Sequence, residues 1–145
     1  MAYARPLHDP TGAFAALQTR TTPYPATLGQ ALRARFEWEA EFALANARKS
    51  LDRGDVAYLA GCAFRAIACL CQTLFALNSV YLLNEKGAVA AVENLARRPP
   101  DFSRRVALLF ADLGAGAFIE GLDRLEALVA DTRSLQPITI ISSTM

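Results

Sequence analysis

The stretch from Asp55 to Lys86, DVAYLAGCAFRAIACLCQTLFALNSVYLLNEK, is apolar on nearly every side, yet it carries Arg65, Gln72, Asn78, Tyr81, Asn84, Glu85 and Lys86. Polar groups set in an apolar helix must find partners or mark a site, because an unpaired one costs free energy to bury. Wound as one helix, Arg65, Cys69, Gln72, Ser79 and Lys86 fall in one broad stripe. Asn78, Tyr81 and Glu85 fall in another, on nearly the opposite side. Arg65 supports two chemistries: a bidentate clamp for an anion or phosphate, or a buried cation satisfied by Glu39 or Glu41 of the preceding helix, which would fix helix register. At the helix end, Asn78, Tyr81, Asn84, Glu85 and Lys86 are denser in polar groups than a helix stop requires. They either hydrogen-bond neighbouring helices or face a ligand or partner.

Other chemistries lack their parts. Cys62, Cys69 and Cys71 share one apolar helix, where the first two lie on one face and the third points elsewhere. Helix-mates so spaced cannot form disulfides, and free thiols used as small hydrophobes suit a reducing compartment, so a cytoplasmic location is expected. The N-terminus, MAYARPLHDP, has no apolar run of signal-peptide length. Glu37, Glu39 and Glu41 alternate along a helix and fan over different faces, so no metal site, cofactor or catalytic residue is expected. The net charge of +1 gives no global field for nucleic acid or anionic membrane. Arg97-Arg98 and Arg104-Arg105 have only Phe102 interleaved, which is a weak nucleic-acid signal. Leu59 to Leu83 is long enough to cross a bilayer. Arg65, Gln72 and Asn78 oppose insertion, a central Arg alone by about 2.5–3.5 kcal/mol. No membrane contact is expected.

The elements that must position these residues follow from periodicity and punctuation. One compact domain is expected from 145 residues with 53% hydrophobic content. Residues 1–22 form an N-terminal arm with a turn at Asp9-Pro10-Thr11-Gly12 and a short apolar piece, Ala13 to Leu17. The bundle occupies 23–136. Its first long helix opens after Tyr24-Pro25 with Thr27 as N-cap, and its stripe is Leu28, Leu32, Phe36, Ala40, Ala43, Ala47 and Leu51. Gly54 ends that helix and Asp55 caps the next, so the two run antiparallel. The second long helix extends to about Asn84. Then come a short helix from Ala88 to Ala96, a helix after Pro100 capped by Asp101 or Ser103, and a last helix from about Ala117 to Leu135. The tail, 137–145, is β-branched and uncharged, either a short strand or an unordered end.

Several blocks carry a resemblance: Arg5-Pro6-Leu7-His8-Asp9-Pro10, Trp38-Glu39-Ala40-Glu41-Phe42, Gly54-Asp55, Ala60-Gly61-Cys62, Phe64-Arg65, Leu74 to Asn78, and Tyr81 with Asn84 to Ala88. Together, over residues 5 to 135, the chain resembles the helical C-terminal half of bacterial polymerase-beta-like nucleotidyltransferases, a domain of the HEPN or substrate-binding kind. In such proteins an N-terminal α/β domain performs the chemistry. Its Gly-Ser and Asp-x-Asp signature, which holds divalent metal against a triphosphate, is missing here. The RNA-cleaving members of the HEPN group use an Arg followed by a His on one helix. Here Arg65 is followed by Cys69, Cys71 and Gln72, and the only His is His8 in the arm.

The expectation is therefore an all-α, antiparallel helical bundle of about five helices with two long central helices. Its function would be that of a non-catalytic accessory or substrate-binding domain that positions a nucleotide-acceptor substrate or a catalytic partner. The alternatives are a stand-alone dimerising module and, last, a degraded ribonuclease. Candidate ligand or partner residues are Arg65, Gln72, Asn78, Tyr81, Asn84, Glu85 and Lys86. The partner is a second copy of the chain or a nucleotidyltransferase catalytic domain, with a small-molecule or nucleotide ligand also open. Trp38 and Phe42, off the main stripe and four residues apart, form the candidate homodimer contact, unless the arm with Phe14 and Leu17 covers them.

Overall fold

The computed structural model describes residues 2–135. All regular structure among them is helical: α1 (Ala13–Thr19), α2 (Ala26–Lys49), a 3-10 turn (Leu51–Arg53), α3 (Val56–Leu77), α4 (Ala88–Val92), α5 (Phe102–Gly114) and α6 (Phe118–Ser134). The all-α bundle with two long central helices is as expected. The tail 137–145 lies outside the described residues.

The α2–α3 hairpin is built from local chemistry. Gly54 takes the left-handed conformation, φ 61°, which only glycine adopts without a Cβ penalty. The Asp55 carboxylate then accepts from the Tyr58 amide at 3.1 Å, capping α3. Across the hairpin, α2 contributes Ala40, Ala43 and Ala47, all fully or nearly fully buried, and these small side chains bring the two backbones close. Leu59, Ile67, Leu70 and Leu74 of α3 fill the core from the other side. α5 adds Phe102, Val106, Leu109 and Leu113, and α6 adds Leu122, Leu125, Leu128 and Val129, at helical spacing in both. Arg48 of α2 holds Asp123 at 2.5 Å and Glu126 at 2.6 Å on α6, and Arg133 of α6 pairs with Glu41 of α2. Such exposed pairs are each worth about 0–1 kcal/mol, so they orient α6 more than they stabilise it.

Three boundaries differ from the sequence expectation. α2 begins at Ala26 with Pro25 as N-cap, not with Thr27, because the fixed proline φ leads directly into the first turn. α3 stops at Leu77, well short of Asn84. Ser79 sits at φ 57°, and the Val80 amide reaches the Phe75 carbonyl at 3.0 Å while the Ser79 amide reaches Ala76 at 3.1 Å. That is a Schellman stop with Ser in the place usually taken by Gly. Finally, α4 is short. Its follower Glu93 turns its carboxylate to the Ser103 amide at 2.8 Å and so caps α5, while Asp101 makes no side-chain cap.

The arm is attached by aromatic packing. Tyr81 donates its hydroxyl to the Thr21 carbonyl at 2.9 Å, with Tyr24 tilted against its ring at 4.6 Å and Tyr3 edge-on at 5.9 Å. α1 itself buries no residue. α3 has the length and composition of a membrane span, but 61% of its apolar window is enclosed by the rest of the bundle.

Candidate functional site

Two faces of the α2–α3 hairpin concentrate the groups that the core does not use. On α2, Trp38 and Phe42 are one turn apart and stack, with centroids 5.2 Å apart and planes 12° apart. They are 62% and 48% exposed, and on α3 Tyr58 and Phe64 are 47% and 61% exposed. The arm leaves the Trp38–Phe42 pair exposed, and its own aromatic contact, through Tyr3, is with Tyr81. Between the helices a shallow groove of about 380 Å³ is bounded by Phe42, Tyr58, Gly61, Cys62 and Arg65. Gly61 has nothing within 4 Å of where a Cβ would stand, so it widens the groove without any packing requirement.

Further along, Arg65, Gln72 and Glu85 do come together, lining a groove of about 310 Å³ with Phe64, Glu39 and Cys69. The expected pairing of Arg65 holds, with its guanidinium 3.2 Å from Glu39, but the expected burial does not. Its side chain is 59% exposed, because Arg65 lies on the open side of α3 beside Phe64. Glu39 also accepts from the Cys69 thiol at 3.5 Å. Burial, then the hydrogen bond to Glu39, pushes the Cys69 thiol up to about 11. Burial, with Cys69 adjacent, pushes Cys71 up to about 12. Both are protonated at neutral pH and lack nucleophilic character.

The remaining polar candidates separate into structural roles. Asn78 is not on a helical seam. Its amide donates to the carbonyls of Leu74 at 2.7 Å and Arg97 at 2.8 Å, and its oxygen accepts from the Arg97 amide at 2.9 Å, tying the end of α3 to the loop after α4. Tyr81 holds the arm. Asn84 accepts from the Lys86 amide at 2.9 Å in a local turn, which leaves Lys86 exposed. The two polar stripes drawn on a continuous helix therefore do not exist beyond Leu77. The side chains of Glu85 and Lys86 differ from those of Asn78, Tyr81 and Asn84, since neither makes a hydrogen bond or ion pair within the described residues.

Glu85 and Phe64 form a ridge shared with a third, more enclosed groove of about 220 Å³ between α3, α4 and α5, walled by Leu82, Val89, Val106 and Phe110. Phe64 and Tyr58 escaped the sequence reading as site residues. For the two aromatics the only available signal was Gly61 amid large apolar residues. No group of three His, Cys, Asp or Glu side chains able to hold a metal ion occurs among the described residues.

No curated protein and no solved structure matches the chain. A family model for a domain of unknown function, DUF4037, matches residues 1–86. That span contains the arm, α2, α3 and every candidate residue from Trp38 to Lys86. The chain belongs to the DUF4037 family.

Proposed function

We propose that this chain is a non-catalytic accessory domain, of the substrate-binding kind that accompanies polymerase-beta-like nucleotidyltransferase domains, and that it works by docking through α2 and the first half of α3. The observation that carries this reading is the exposed aromatic face of Trp38, Phe42, Tyr58 and Phe64 around Arg65. Aromatic side chains flanked by charges are the usual anchors of protein interfaces. The occupant is a second copy of the chain. The face carries Arg35 and Arg65 beside Glu39, and a two-fold axis passing between opposite charges sets a charge of one copy against its counterpart in the other.

Light scattering on the full chain tests the reading: a dimer is expected, and Trp38→Ala is expected to give a monomer with an unchanged helical circular dichroism spectrum. A monomeric parent that instead binds a separately produced nucleotidyltransferase catalytic domain through Trp38 would transfer the face to that partner. A parent that does neither overturns the docking reading. Nucleotidyl transfer by the clean chain with Mg²⁺ or Mn²⁺ would overturn the non-catalytic reading.

A further inference from the structure

The groove between α3, α4 and α5 combines two features that no structural need explains. Its walls are apolar, built from Phe64, Ile67, Val89, Val106 and Phe110, and the protein's own side chains leave about 220 Å³ between them. Its rim carries one ionisable group with a charge at neutral pH, Glu85, whose carboxylate has no partner among the described residues. Arg65 lines the neighbouring groove that Glu85 shares, but its guanidinium is engaged by Glu39 at 3.2 Å. Lys86 follows Glu85 in the chain and is exposed. Cys71 at the floor is neutral at physiological pH. An apolar slot with one free carboxylate at its mouth is complementary to an apolar body carrying a single cation.

We infer that this groove is a binding site for a small amphiphilic amine, with its aromatic or aliphatic body against Phe64 and Phe110 and its ammonium on the Glu85 carboxylate. The volume corresponds to about seven waters at liquid density, which suits one ring with a short side chain. The site stands on the groove alone and does not rest on the docking of a partner at Trp38.

The test uses the full chain with phenethylamine, phenethyl alcohol and phenylpropionate as probes, followed by amide NMR shifts at neutral pH. Shifts centred on Phe64, Val89 and Phe110 are expected with the amine, at an affinity about tenfold or more above that for phenylpropionate, the scale of one charged contact. Glu85→Gln, an exposed change, is expected to bring the amine down to the alcohol's affinity and leave the alcohol unchanged. Glu85→Lys is expected to reverse the preference in favour of phenylpropionate. Equal binding of amine and carboxylate, a preference indifferent to Glu85, shifts elsewhere in the bundle, or no binding of any probe would overturn the inference.

Discussion

From Ala66 to Leu77, α3 leaves only Ala68 and Gln72 short of full burial, whereas from Val56 to Arg65 it leaves Val56, Tyr58 and Phe64 between 45% and 61% exposed. Both segments are predominantly apolar, with Arg65 in the first and Gln72 and Thr73 in the second. The difference comes from what surrounds them. The second half is enclosed by α2 together with the α4 and α5 layer, and Asn78 clamps that layer to the helix end through Arg97. The first half has no helix across its outer side. Burial is thus a property of neighbours, and apolar residues left without a neighbour become the surface available to a partner.

The largest effect that would break this comparison is a truncation in each half. Leu70→Ala or Leu74→Ala, at positions no more than 1% exposed, should cost about 2–5 kcal/mol. In the monomeric Trp38→Ala background, Phe64→Ala removes a larger side chain from the open half and should change stability by no more than about 0.5 kcal/mol. Urea unfolding followed by circular dichroism measures both. An equally large loss at Phe64 in that background would mean that the monomer itself covers the outer side of α3. Next in size is Asn78→Ala. It deletes three hydrogen bonds that tie the end of α3 to the loop after α4, so it should cost about 1–3 kcal/mol, with hydrogen exchange accelerated first at the end of α3.

The same contrast explains what was legible in advance. Gly54 and Asp55 act within a few residues of themselves, so the hairpin, its antiparallel sense and the all-helical class could be read directly. The stop at Leu77 could not, because Ser79 is a poor signal for a left-handed residue and its support comes from Arg97, far along the chain. Tyr81 and Asn78 were recognisable as polar groups needing partners, but which partners depended on tertiary packing. Trp38 and Phe42 stood out because α2 is amphipathic and they leave its stripe. Phe64 did not, because an all-apolar helix offers no polar face against which an exposed residue can be recognised.

A smaller effect sharpens the comparison through glycine. Replacing a mid-helix Gly by Ala gains about 0.5–1 kcal/mol when the new methyl meets nothing. At Gly61, within the open half of α3, there is nothing within 4 Å, so Gly61→Ala should realise that gain. At Gly29 of α2 a Cβ would lie 3.2 Å from the Tyr24 ring and 3.4 Å from the Ala76 carbonyl of the buried half. There the crowding should cancel the gain, leaving Gly29→Ala no more stable than the parent. Both are best compared in the Trp38→Ala background, which separates folding from association.

The smallest effect on stability near neutral pH is the most local probe of the two environments, because each half of α3 carries its own thiol. Cys62 lines the open groove beside Phe42, while Cys69 and Cys71 are 4% and 1% exposed and are held protonated up to about 11 and about 12. Iodoacetamide at mildly alkaline pH should therefore modify Cys62 first, with Cys69 and Cys71 reacting only as fast as the second half of α3 opens. Mass spectrometry of the time course identifies the order. The same two thiols set an alkaline limit with a definite sign. Their folded pKa values lie above the unfolded value of 9.0, so the stabilisation they provide is complete below pH 9 and declines as pH rises toward 11 and 12. Cys69→Ala should flatten that alkaline decline and leave the neutral-pH stability close to the parent's. Equal labelling of all three thiols, or an alkaline decline unaffected by Cys69→Ala, would show that the second half of α3 is as open as the first.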